Sequence, residues 1–147
     1  YKELDFNGVY KLSNKGELSL ISKEVSIPNG IALSLDEKYI YVNNSDGESP
    51  VIMKFDLSNN SGELFFDGTE LSKIYEGGFD GLKVHSSGNI FSTGPNGILI
   101  ISPSGKLLGT INFGGGITNC NFDSNEEYLY VTAFSYVARI KLKTVNK

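Results

Sequence analysis

Hydrophobic and polar positions alternate at short range along this chain, and the runs that carry the pattern are brief. "KYIYV" (38–42), "NIFST" (89–93), "GILIIS" (97–102) and "EYLYVTA" (127–133) are rich in β-branched and aromatic residues and are bounded by Gly, Asn, Ser and Asp. Such runs at close intervals predict short strands joined by tight turns. After Pro28-Asn29-Gly30, Ile31, Leu33 and Leu35 alternate with Ala32 and Ser34, which predicts a strand with one face against a neighbouring sheet. No segment has the period of an amphipathic helix, and "DGTELSKIYEGG" (67–78) accommodates a single helical turn. The fold class expected is all-β.

The strands fall into an internal repeat. "IPNGIALSLDEKYIYVNN", "GFDGLKVHSSGNIFSTG" and "ITNCNFDSNEEYLYVTA" align so that Asn29, Asp80 and Asn119 hold one position, each read as a polar turn residue before an alternating strand, a second turn and an aromatic-rich strand. "NGVYKLSNKGELSLIS", "VIMKFDLSNNSGELFFD" and "NGILIISPSGKLLGTINF" lie before and between them, each as strand, turn and strand. The aligned residues are 51 and 39 positions apart, near the roughly 40–50 residues of a four-stranded propeller blade. The expectation is about three four-stranded blades of a β-propeller. Propellers close with about four to eight blades, so residues 1–147 read as part of a larger ring.

Composition narrows the partners. The 147 residues carry 13 basic and 17 acidic side chains, a net charge of −4, which argues against a nucleic-acid partner because phosphate binding needs clustered Lys and Arg. The basic C-terminal run "RIKLKTVNK" reads as an edge strand with solvated lysines. No apolar run is long enough to span a bilayer, so no membrane partner is expected. Cys120 is alone, which excludes an internal disulfide and suggests a small buried residue. His85, beside Ser86-Ser87-Gly88, reads as a surface turn residue and gives no support to a Ser/His/Asp hydrolase. The chain begins at Tyr1, so its compartment is not legible.

In a propeller the innermost strand of each blade starts at the rim of the central channel, which would bring Asn29, Asp80 and Asn119 toward one axis. A carboxylate and an amide oxygen suit Ca²⁺, Mg²⁺ or Mn²⁺ and fit Zn²⁺ less selectively. Asn and Asp before Gly are also ordinary turn chemistry, and residues alone do not separate the two readings. The cluster Asn43, Asn44, Ser45, Asp46 and Glu48 is oxygen-rich but lacks the acidic spacing of an EF-hand, and reads as a solvated loop.

Taken together, "IPNGIALSLDEKYIYVNNSD", "GGFDGLKVHSSGNIFSTGPNGILIISPSGKLLGTI" and "TNCNFDSNEEYLYVTA" resemble the C-terminal half of the gluconolactonase, regucalcin and senescence-marker-protein family. The resemblance runs from "ELDFNGVYKL" to "SYVARIKLK". It implies a six-bladed propeller of which this chain is a partial domain, about blades 3–6, with the N-terminal blades absent. It further implies one divalent cation at the top of the channel, Ca²⁺ first among candidates with Zn²⁺, Mn²⁺ or Mg²⁺ as alternatives. The substrate class is a small-molecule lactone of a sugar acid or a related ester. The family's metal-binding Asn and Asp match Asn29 and Asp80, and Asp80 matches its general base. A metal-bound Asp is a weak base, so a hydroxide formed at the cation is an equal alternative as nucleophile.

The chain also departs from that family. The first metal ligand there is a Glu in an N-terminal blade, which Glu3 does not match, and a substrate-binding Asn lies before the region where this chain begins. The expectation is that the intact parent is a metal-dependent lactonase and that this fragment is inactive alone. No family role attaches to Asn119. A non-catalytic interaction module is the alternative function, and a strictosidine-synthase-like or paraoxonase-like propeller shares the architecture.

Overall fold

The structure is a computed structural model describing residues 3–143. Thirteen strands run in chain order among these residues: β1 Val9–Leu12, β2 Leu18–Ser22, β3 Pro28–Leu33, β4 Tyr39–Asn44, β5 Val51–Asp56, β6 Gly62–Asp67, β7 Leu82–Val84, β8 Ile90–Gly94, β9 Gly97–Ile101, β10 Leu107–Ile111, β11 Ile117–Phe122, β12 Tyr128–Ala133 and β13 Val137–Lys141. The one helical turn, α1 Thr69–Ser72, lies in the segment where the sequence allowed it. None of the described helices is long and apolar enough to cross a membrane.

All pairings are antiparallel meanders. They make four sheets: β1-β2, the four-stranded β3-β4-β5-β6, the four-stranded β7-β8-β9-β10, and the three-stranded β11-β12-β13. The all-β partial propeller holds, with one correction to the expected count of three four-stranded blades. Two blades are complete, one shows three strands, and β1-β2 forms a further two-stranded sheet beside β3–β6. The basic run does form the edge: β13 pairs only with β12. Its last residues, 144–147, lie outside the described part.

Three apolar seams join the sheets. Val9 and Val25 meet Ile40, Val42 and Phe55 in the first. Tyr41, Ile52 and Phe66 meet Phe79, Leu82, Ile90, Leu99 and Ile101 in the second. Phe91 and Ile98 meet Ile117, Cys120, Leu129 and Val131 in the third. Neighbouring residues of a strand thus serve opposite seams, as Ile90 and Phe91 do. Strands covered on both faces read as nearly continuous apolar runs, which explains "KYIYV" and "GILIIS". In β12, Leu129 and Val131 are buried while Tyr130 and Thr132 are exposed, because one face is uncovered. In β3 the expectation is corrected: Ala32 packs against the second seam, whereas Ile31 and Leu33 are half exposed, at 49% and 47%.

The repeat also fixes turn chemistry. Glu37, Gly88 and Glu126 take the same left-handed position in the turn after β3, β7 and β11, with φ of 56°, 83° and 55°. Gly30 and Gly81 are different. Neither has a positive φ, and each is needed for close approach of two backbones. A Cβ on Gly30 would overlap the Asp80 carbonyl oxygen, and one on Gly81 would overlap the side chain and Cα of Asn119. The glycines read as hairpin signals are therefore contact glycines between successive blades.

Gly30→Ala is expected to destabilise the protein by about 2 kcal/mol or more, since the Asp80 carbonyl cannot yield as a flexible side chain does, and Gly81→Ala by about 1 to 3 kcal/mol, since the Asn119 side chain must move and its Cα still crowds the added Cβ. Gly47→Ala, where nothing lies within 4 Å of the added Cβ, should stay within about 0.5 kcal/mol. Urea denaturation midpoints of the three variants check the contrast.

Candidate functional site

Asn29 and Asp80 come together at one end of the strands, on the wall of an open cavity of about 710 Å³. The local structure that delivers them is a bulged strand start, which corrects the turn expected from sequence. Asn29 lies inside β3, where the register with β4 shifts between Pro28 and Ile31. Asn119 lies inside β11 at the matching irregularity, between Ile117 and Asn119. Asp80 lies two residues before β7. A bulge adds a residue to one strand and re-aims the side chain at that point.

The backbone around Asp80 is held from three blades. Its own N–H donates to Thr93 Oγ1 at 2.6 Å, and its carbonyl accepts from Asn43 Nδ2 at 2.9 Å. Gly81 N–H donates to the Thr118 carbonyl at 3.0 Å, and the Gly81 carbonyl accepts from Thr93 N–H at 2.9 Å. The Phe79 carbonyl accepts from Ser45 Oγ at 2.5 Å. Ser45 Oγ in turn accepts from Asn29 Nδ2 at 3.0 Å, which leaves Asn29 Oδ1 as the lone-pair donor of that amide.

Partial burial raises the Asp80 carboxyl above the ordinary Asp range, and a hydrogen bond from the Asn29 side chain pulls it part of the way back. Both candidate ligands line the same cavity wall. As a donor set they fit a hard cation in kind: one carboxylate and one amide oxygen. They fall short in number, and among the described residues no group of three or more His, Cys, Asp or Glu gathers to complete a cage. The rest of the wall mixes polar Glu76, Asn96 and Asn112 with apolar Tyr75, Ile117 and Phe134.

The remaining candidates take structural places. Asn119 Oδ1 accepts the Cys120 N–H at 2.9 Å and its residue backs the Gly81 contact. The "solvated loop" reading fails for Asn43 and Asn44, which end β4 and are buried, at 0% and 3% exposure. Asn44 Oδ1 accepts Ile27 N–H at 2.9 Å and its Nδ2 donates to the Ser49 carbonyl at 3.0 Å, fixing the approach to Asn29. Thr93 was missed, and Ser45 was read only as part of that loop. Their signal was present: Asn43-Asn44 and Ser92-Thr93 are polar pairs closing strands that are otherwise apolar.

His85 is not a free surface residue. Its Nδ1 accepts Ser87 N–H at 3.0 Å and its Nε2 lies 3.2 Å from Glu126 Oε2. The same carboxylate accepts Ser86 N–H at 3.0 and 3.2 Å. Glu126 of the last sheet thus clasps the turn of the sheet before it, at the end of the strands away from the cavity. The His85 ring packs edge-on against Phe122, with centroids 5.1 Å apart.

Comparison with known proteins agrees with this fold. The sequence profile of the SMP-30/gluconolactonase/LRE-like region matches residues 2–135. A gluconolactonase of Zymomonas mobilis is 39% identical over 153 aligned positions, which cover 97% of this chain and 42% of that protein. The structure of a gluconolactonase from Xanthomonas campestris superposes with a TM-score of 0.83 at 28% identity, over 96% of this chain and 46% of the other. Regucalcin from Agrobacterium tumefaciens, a calcium-binding protein, shares the fold with a TM-score of 0.70 at 23% identity, over 85% of this chain and 43% of its own. The chain spans less than half the length of these relatives.

Cys120 is buried, and burial pushes its thiol up to about 12. At pH 8 the thiolate, the reactive form, is nearly absent in the native state. Iodoacetamide should leave Cys120 unmodified until denaturant is added, with mass spectrometry as the readout.

Proposed function

The chain belongs to the SMP-30/gluconolactonase/LRE-like family, and from that premise we propose that the complete protein carrying it opens the ester bond of a sugar-acid lactone by hydrolysis. The observation that supports this most is the meeting of Asn29 and Asp80, from two different blades, on the wall of one cavity. In this reading the chain supplies the later blades of a six-bladed ring, about blades 3–6, and the earlier blades complete the ligand set.

Asn29 Oδ1 and the Asp80 carboxylate would hold a divalent cation, with Ca²⁺ first among candidates. When bound, such a cation polarises the lactone carbonyl and acidifies water. Asp80 accepts the proton of the attacking water; partial burial raises its carboxyl, a bound cation would lower it again, and a hydroxide formed at the cation stays the equal alternative as nucleophile. Ser45 fixes the Asn29 amide by engaging its N–H, and the Phe79 carbonyl fixes Ser45. The polar wall residues Glu76, Asn96 and Asn112 offer partners to the hydroxyls of a polyol substrate.

In the complete protein, Asp80→Ala is expected to lower kcat/KM for glucono-1,5-lactone by about 10²-fold or more. Asn29→Ala should weaken Ca²⁺ binding about tenfold while circular dichroism stays native. Full activity in Asp80→Ala would sink the assignment. Residues 1–147 alone should open the lactone no faster than buffer does, followed by proton release.

A further inference from the structure

Asn43 has a hydrogen-bonding pattern that serves another residue better than itself. It is fully buried at the end of β4, and every partner of its side chain belongs to the next blade. Nδ2 donates to the Asp80 carbonyl at 2.9 Å and to Ser92 Oγ at 2.9 Å, with the Gly81 carbonyl at 3.5 Å. Its Oδ1 has no partner among the described residues.

A buried acceptor without a donor is unfavourable, and native structures keep few of them without a reason. Turning the amide over does not relieve it. Oδ1 would then face the Asp80 carbonyl, acceptor against acceptor, and the donor to Asp80 would be lost. Leucine, of similar volume, would remove the unpaired oxygen but would strip the Asp80 carbonyl and Ser92 Oγ of the donor that Nδ2 supplies. The geometry therefore makes sense only as a support for the chain at Asp80.

The next residue but one, Ser45, holds Asn29 by its Nδ2 and the Phe79 carbonyl by its own hydroxyl. Pro28, beside Asn29, is paired to Asn44. The end of β4 is thus the one element that grips both candidate ligands. We propose that Asn43 is a positioning residue: through the Asp80 carbonyl it sets where the Asp80 carboxylate stands relative to Asn29. This rests on the lactonase reading given above.

The test uses the complete protein and Ca²⁺ itself. Calorimetry would compare wild type, Asn43→Leu, Asn43→Ala and Phe55→Leu, a core change in the first seam remote from the cavity that lowers the melting temperature without touching the site. Asn43→Leu should weaken Ca²⁺ at least tenfold and lower kcat for glucono-1,5-lactone at saturating Ca²⁺ at least tenfold. Phe55→Leu should stay within twofold in both. Ca²⁺ affinity and kcat within twofold of wild type in Asn43→Leu overturn the inference, as does an equal loss in Phe55→Leu. Asn43→Ala gives the same readout where the leucine does not fold. Wild type that neither binds Ca²⁺ nor opens the lactone would sink the functional reading, and the role of Asn43 with it.

Discussion

The structure depends on how closely successive blades approach at the start of their inner strands. Gly30 lies against the Asp80 carbonyl and Gly81 against Asn119, so the backbones touch where any side chain would hold them apart. That contact lets one blade reach another with short groups: Asn43 to Asp80, Ser45 to Phe79, and Gly81 to Thr118 through the main chain. Side chains this short lose little freedom on ordering. They also hold their partners within a narrow range, as a site built from several strands requires.

The apolar seams follow from the same stacking and were the most legible part of the sequence. A blade with neighbours on both sides needs apolar groups on both faces of each strand, and "KYIYV" and "GILIIS" state this directly. A blade face without a neighbour keeps strict alternation, as "EYLYVTA" does. The repeat of Asn29, Asp80 and Asn119 was legible as well, since each precedes the same alternation of strand, turn and strand.

What sequence hid was the cause of each motif. "NG" and "DG" are turn signals in isolation, and only the approach of a residue 50 positions on for Gly30, and 38 for Gly81, turns the glycine into a contact residue. Asn43 and Asn44 sit in a polar stretch that reads as a loop, and their burial depends on distant partners, the next blade for Asn43 and the chain at Ser26 and Ile27 for Asn44. His85 reads as a solvated turn because Glu126, its partner, comes 41 positions later. Local pattern reports the faces of a strand well, and says little about which distant backbone will meet it.

The clasp of Glu126 on Ser86 and His85 has a mechanical consequence. The junction it spans is fastened at both ends of its strands, by Gly81 N–H to the Thr118 carbonyl near the cavity and by the Glu126 carboxylate at the far end. The junction between β3–β6 and β7–β10 is hydrogen-bonded at the cavity end only, among the described residues. A pair of plates pinned twice resists pivoting, whereas a pair pinned once can swing about the pin. The two ligand-bearing strands straddle the junction whose hydrogen bonds all lie at the cavity, so Asn29 and Asp80 stand where those bonds fasten one blade to the next.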